Sequence, residues 1–115
     1  MRIRSALAVA VGTGVLLTAL PAVASAAAGD FTYKHVDEYG HQRTFQLTDP
    51  PSRECITLPH VGDEWATPPA DSPHNRTDAT ATVFTGRHCD GDWYTLRPFV
   101  GRAGERLKLR SVVFS

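Results

Sequence analysis

Methionine occurs once, at position 1, and cysteine only twice in 115 residues. No pair of histidines has the i, i+4 spacing of a helical zinc-protease motif, and no histidine stands in a Cys/His cluster. Ser52, Ser72 and Ser111 lie in no nucleophile elbow. Like charges never run long enough to form a nucleic-acid tail, and no nucleic-acid reading motif is present. Beyond residue 28 there is no segment of helical period and no tandem repeat. These absences remove the common hydrolase centres, nucleic-acid readers, helical bundles and solenoids, and no cofactor or resident metal is expected.

What is present begins with an address. Arg2 and Arg4 precede an apolar run from Ala6 to Leu20, followed by Pro21 and the small residues Ala24-Ser25-Ala26. A charged start, an apolar stretch shorter than the ~20 residues of a membrane span, and an Ala-x-Ala site together read as a secretory signal peptide over residues 1–28. Cleavage after Ala26 or at Ala28 leaves a single domain of 87 to 89 residues with no membrane span. We therefore expect a secreted, extracellular monomer.

Such a small domain buries a modest fraction of its surface and usually needs a covalent or metal staple. Cys55 and Cys89 both lie in the exported part, where an oxidising compartment favours their pairing. Closing that loop stabilises the fold by about 4 kcal/mol in the chain-entropy picture. The competing reading, a free nucleophilic thiol, requires a neighbouring base and reducing surroundings.

Charge is unevenly spread. Without Arg2 and Arg4 the chain holds 10 basic and 12 acidic side chains, a net of −2, with 4 basic and 9 acidic groups in residues 27–83 against 6 and 3 in residues 84–115. A basic patch of Arg97, Arg102, Arg106, Lys108 and Arg110 is a candidate contact for an anionic cell-envelope component. Ordinary solvated charge is the competing reading.

Alternation of polar and apolar residues, punctuated by turn formers, predicts an all-β fold. Asp30–Val36 places Phe31, Tyr33 and His35 on one face, and residues 42–47 place Arg43, Phe45 and Leu47 on one face, with Asp37–His41 joining them as a hairpin through Gly40. Pro50 and Pro51 end that strand because neither can donate to a ladder. Further strands are predicted over 53–58, 79–85 and 92–97, and the connection 98–104 is expected to be flexible. Leu107 and Leu109 share one parity while Val112 and Phe114 share the other, so a bulge or corner at Arg110-Ser111 must reset the phase.

Residues 59–78 hold Pro59, Pro68, Pro69 and Pro73 among glycine, aspartate, serine and asparagine, and read as one long loop stiffened locally by proline. Long loops on rigid scaffolds often carry function, which makes Asp63, Glu64, Trp65, Asp71, His74 and Asn75 candidate binding residues. Trp65 either anchors the loop to the core, the reading we prefer, or stands exposed as a contact residue. His60, Asp63 and Glu64 are candidates to meet His74 across it. Asn75-Arg76-Thr77 matches a glycosylation sequon.

The most specific spacing is Phe84-x4-Cys89-x-Gly91, followed twenty residues later by Ser111-Val112-Val113-Phe114. A hairpin that folds back over its own sheet needs a flat side chain such as Phe84, a residue free to take positive φ such as Gly91, and a hydroxyl such as Ser111 to bind its unpaired backbone groups. This segment resembles a Greek-key motif of the βγ-crystallin family, with Cys89 in place of the second aromatic. Tyr33 and Gly40 repeat the outer spacing more weakly, with Glu38 between them. The chain is similar to small secreted bacterial proteins of that fold, including killer-toxin-like proteins and proteinaceous metalloproteinase inhibitors.

The resemblance implies a two-sheet Greek-key sandwich without a catalytic centre. With the stiff loop 59–78 and the basic patch read from the residues, we expect a secreted non-catalytic binding protein, such as an inhibitor acting through that loop, with a toxin-like effector using the patch or an extracellular structural or calcium-binding crystallin-like protein as the alternatives. Its partner would be an extracellular protein or an envelope component. Microbial relatives of that fold often bind calcium, but here the second site reads Arg106-Leu107-Lys108-Leu109-Arg110-Ser111, which offers cations where Ca²⁺ wants carboxylates. Asn75–Thr80 retains only a partial donor set, equally explained as turn chemistry.

Overall fold

A computed structural model describes residues 25–115; the export signal lies outside the described residues as far as residue 24. Eight strands follow: β1 Gly29–Val36, β2 Gln42–Thr48, β3 Ile56–Thr57, β4 Asp71–Thr77, β5 Ala81–Phe84, β6 Trp93–Leu96, β7 Gly101–Arg102 and β8 Ser111–Phe114. They form two four-stranded sheets with strand orders β2-β1-β4-β7 and β3-β8-β5-β6. Every pairing is antiparallel. The order has an internal symmetry: advancing each strand of the first sheet by four, with β7 returning to β3, yields the second. Each half of the chain thus builds three strands of its own sheet and lends one, β3 or β7, to the other.

Period-two patterning explains the inner faces. Phe31 and Tyr33 of β1 are fully buried and meet Val83 of β5 and Val112 and Phe114 of β8 in one core, closed by Leu58, Val61, Ala70 and Leu109. Phe31 and Phe114 cross edge to face, with ring centroids 5.4 Å apart, a contact between the two sheets that adds about 1 kcal/mol beyond its buried area. The Tyr33 hydroxyl donates to Pro59 O at 3.0 Å, and burial raises its pKa well above the ordinary phenol value.

The β1–β2 hairpin closes as expected over Asp37–His41, with Gly40 at φ 82° and the Asp37 carboxylate accepting the Tyr39 and His41 amides. The β5–β6 connection is longer and folds back through a 3-10 turn, Arg87–Cys89. His88 and Cys89 adopt positive φ, and so does Gly91 at 85°, where an added Cβ would run into the Thr85 hydroxyl. Ser111 holds this turn: its Oγ accepts the Cys89 amide at 2.8 Å and donates to Gly86 O at 2.6 Å. Cys55, just before β3, and Cys89 are joined in a disulfide that clips the turn beside the edge of the second sheet.

Two sequence expectations are corrected here. The long loop is residues 59–70, because Asp71–Thr77 is β4, an interior strand between β1 and β7. Its proline is tolerated at a register shift opposite Tyr33, where Ser72 takes a φ of 52° and the ladder needs no Pro73 amide. The connection 98–104 likewise contains β7. The phase reset occurs where anticipated: Leu109 bridges to Ala70, and two residues later the chain enters β8.

Replacing both cysteines by serine is expected to lower the unfolding free energy by about 4 kcal/mol, and Ser111→Ala by about 1 to 3 kcal/mol because it strands one amide and one carbonyl. Urea unfolding of the two variants checks both figures.

Candidate functional site

Loop 59–70 is built from the inside outwards. Leu58 and Val61 at one end and Ala70 at the other are buried, so both ends are fixed in the core. Between them Asp63 organises a tight turn: its carboxylate accepts the amides of Trp65 at 2.9 Å and Ala66 at 3.3 Å, while its carbonyl accepts the Thr67 amide and hydroxyl. Beneath the turn lies Arg110, only 8% exposed. Its guanidinium donates to Val61 O and Thr67 O at 2.9 Å each, and to Asp63 O at 3.4 Å. A planar cation with several fixed donors suits three converging carbonyls better than an ammonium would.

With its backbone fastened on both sides, the loop projects Trp65, which is 91% exposed. Trp65 therefore does not anchor the loop, contrary to the preferred reading of the sequence. Asp63 already fills the turn and Arg110 the space beneath it, leaving the indole outside. Glu64 and Pro68 are exposed beside it.

Between this loop and the β1–β2 hairpin lies a cleft of about 380 Å³, walled by His35, Val36, Asp37 and Glu38 on one side and by His60, Ala66, Thr67 and Pro68 on the other. His35 and His60 stack face to face with centroids 4.7 Å apart and planes within 2°. His60 also meets the ring of Phe45 edge-on, and its backbone is held at a φ of 73°. His35 Nδ1 is buried without a hydrogen-bond partner. Burial, followed by the neighbouring His60, depresses the His35 pKa below the ordinary histidine value. Asp37 is pulled down to about 2, chiefly by its 2.9 Å hydrogen bond from Arg43. The cleft thus has an aromatic imidazole wall and an anionic rim.

Comparison of the chain with protein-family models, curated protein sequences and solved structures gives no match. Chemical meaning rests on the geometry alone. Among the described residues no three His, Cys, Asp or Glu side chains converge as a metal site. Thr67, the sole hydroxyl on the cleft wall, is engaged with Asp63 O.

The remaining sequence candidates separate. Asp71 starts β4 and lies 3.8 Å from Lys108. His74 is on the outer face of the first sheet, away from His60, so the two histidines do not meet across the loop. Asn75 is fully buried, and its amide donates to Ala79 O, Leu96 O and Arg97 O while its carbonyl oxygen accepts from Thr77. It is neither a binding-loop residue nor open to glycosylation in the folded protein. Arg110 leaves the proposed basic patch for the same reason of burial; Arg97, Arg102, Arg106 and Lys108 are exposed. His35 is a site residue that the sequence reading does not single out, although it shares a face of β1 with the buried Phe31 and Tyr33.

Because folding depresses the His35 pKa, the folded state binds that proton less readily than the unfolded chain. Stability from this source is intact above the ordinary histidine value of 6.5 and declines as pH falls below it. Urea midpoints measured between pH 7.5 and 5 should fall with acidification in the wild type, and the slope should shrink in His35→Phe.

Proposed function

We propose that the chain is a secreted, non-catalytic binding protein of βγ-crystallin-like Greek-key construction, which presents loop 59–70 to an extracellular protein, in the manner of a proteinaceous protease inhibitor. The observation that carries this reading is Trp65, a large apolar side chain almost wholly in solvent on a backbone that Arg110 and Asp63 hold still. Tryptophan is the residue type most enriched at energetic hot spots, and a preordered loop loses less entropy on association than a mobile one. Asp63 and Glu64 add negative charge beside it, favouring a partner with a basic rim. The adjoining cleft offers a place for a partner side chain between the hairpin and the loop.

The crystallin-like reading draws support from the symmetric exchange of β3 and β7 and from the Ser111-held turn with Gly91 at positive φ. Export draws support from the Arg2–Ala26 leader pattern and from the disulfide, which persists in oxidising compartments. None of the described helices is long and apolar enough to cross a membrane. The toxin-like alternative rests on a smaller basic patch once Arg110 is assigned to the core.

Purified protein should inhibit at least one enzyme in a panel of extracellular proteases at micromolar concentration or below. Trp65→Ala should weaken that inhibition at least tenfold without shifting the melting temperature. Absence of binding to every member, or equal potency of the variant, overturns the inhibitor reading.

Packing at Ala27 supports the earlier of the two expected cleavage positions. Ala27 is 1% exposed and its amide donates to Pro50 O at 2.8 Å, so a cut after Ala28 removes a core residue and a ladder bond. Intact-mass measurement of the exported protein should therefore find Ala27 retained.

A further inference from the structure

The outer face of the first sheet is far from neutral. Pairing places Gln46, Thr32, His74 and Arg102 in one row across β2, β1, β4 and β7. Lys34 stands two residues along β1 from Thr32, and Arg76 two residues along β4 from His74, both on the same outward face. Lys34, Arg76 and Arg102 are exposed, and no salt bridge joins any of them to a carboxylate among the described residues. Asp30 and Asp71 are the acids of this face. Asp71 stands opposite Lys34 and Asp30 opposite Arg76 in the strand register, but Asp71 accepts the Ser72 hydroxyl at 2.7 Å and lies 3.8 Å from Lys108, and neither acid forms a salt bridge with Lys34, Arg76 or Arg102.

This surface is also concave. A recess of about 580 Å³ is walled by Thr32, Lys34, Ser72, His74, Arg102 and the backbone of Pro73, Ala103 and Gly104. Its walls are fixed: the Ala103 amide donates to Pro73 O at 3.0 Å and the Ser72 amide to Gly104 O at 3.2 Å, which tie the segment that follows β7 to the start of β4. Cations gathered around a preformed hollow repel one another and gain from a shared anion, since a bidentate guanidinium and an ammonium both match phosphate and sulfate oxygens.

We propose that this recess is an oxyanion-binding site, in which Lys34, His74 and Arg102 receive a phosphate or sulfate group with Thr32 as a further donor. The site is separate from loop 59–70 and does not depend on the inhibitor reading. The ligand is a tetrahedral oxyanion, either free or carried as an ester on a polymer. Protonation of His74 strengthens the site. Burial first, then Arg102 and Arg76, hold the His74 pKa below its ordinary value, so at neutral pH the imidazole is uncharged. The groups that face it are Arg102 from β7, Thr32 and Lys34 from β1, and Arg76 and the Ser72–Asp71 pair along β4. Of the residues lining the recess, His74 alone is of the type whose charge changes near neutral pH. A bound anion favours the imidazolium, hence affinity rises as pH falls.

The test is a titration of the disulfide-bonded protein with sodium sulfate and sodium phosphate at constant ionic strength, followed by NMR of the His74 ring and of the backbone amides of Thr32, Lys34 and Arg102, the amides serving as the readout in His74→Gln, with sodium chloride as reference. Sulfate should shift the His74 resonances in a saturable way, at least threefold more tightly at pH 5.5 than at pH 7.5. Lys34→Gln and Arg102→Gln should each weaken binding at least fivefold, whereas Trp65→Ala leaves it unchanged and His74→Gln removes the pH dependence. Dextran sulfate reports the source: tighter binding per sulfate than the free ion identifies a polymer ligand, and equal binding a free anion. No saturable shift beyond that of chloride, or full binding by a folded Lys34→Gln/Arg102→Gln double variant, overturns the proposal.

Discussion

The guanidinium of Arg110 holds the outer parts of this molecule to its core. It occupies the corner where the chain leaves its bridge to Ala70 and enters the second sheet, and its side chain spends its donors on the carbonyls of Val61, Asp63 and Thr67. Its backbone does the same work in miniature, with its amide bonded to Phe84 O and its carbonyl to the Leu58 amide. A buried charge without a carboxylate beside it costs free energy unless every donor finds a partner, and neutral carbonyls in a fixed loop are the partners available. The cost is offset only if the loop keeps one conformation. The tip carrying Trp65 is therefore ordered by the chemistry beneath it rather than by the prolines alone.

A second polar group plays the matching part on the other side of the core. Asn75 ties β4 to the β4–β5 turn and to the end of β6, so strands from both sheets meet at one amide. In both places a residue with several donors satisfies backbone carbonyls that the irregular chain path leaves without ladder partners. The small apolar core and the disulfide supply much of the cohesion; these two side chains specify where loops sit on it.

Much of the scaffold was legible in the sequence because its signals are local. Alternation exposed β1 and β2, Gly40 and the two prolines marked their ends, and Phe84, Gly91 and Ser111 each had a mechanical reason that the coordinates bear out for Gly91 and Ser111. The site was less legible because its decisive residues act against type. Asp71–Thr77 reads as the end of the long loop 59–78, yet β1 and β7 on either side make it an interior strand. Arg110 reads as surface charge, yet the phase reset that was correctly placed at Arg110-Ser111 turns it inward. Trp65 reads as an anchor, yet a local Asp63 turn already fills the space it would occupy. In the first two instances long-range pairing overrode a residue's usual preference, and in the third a local turn did.

The exchange of strands between sheets bears on how the molecule comes into being. β8, the last strand of the chain, lies inside the second sheet between β3 and β5, and the first sheet is closed on one edge by β7. An amino-terminal fragment needs residue 102 to complete the first sheet and residues 111–114 to complete the second, and most pairings join residues distant in sequence. Acquisition of structure should therefore be concerted, because neither sheet closes before a strand from the other half of the chain has joined it.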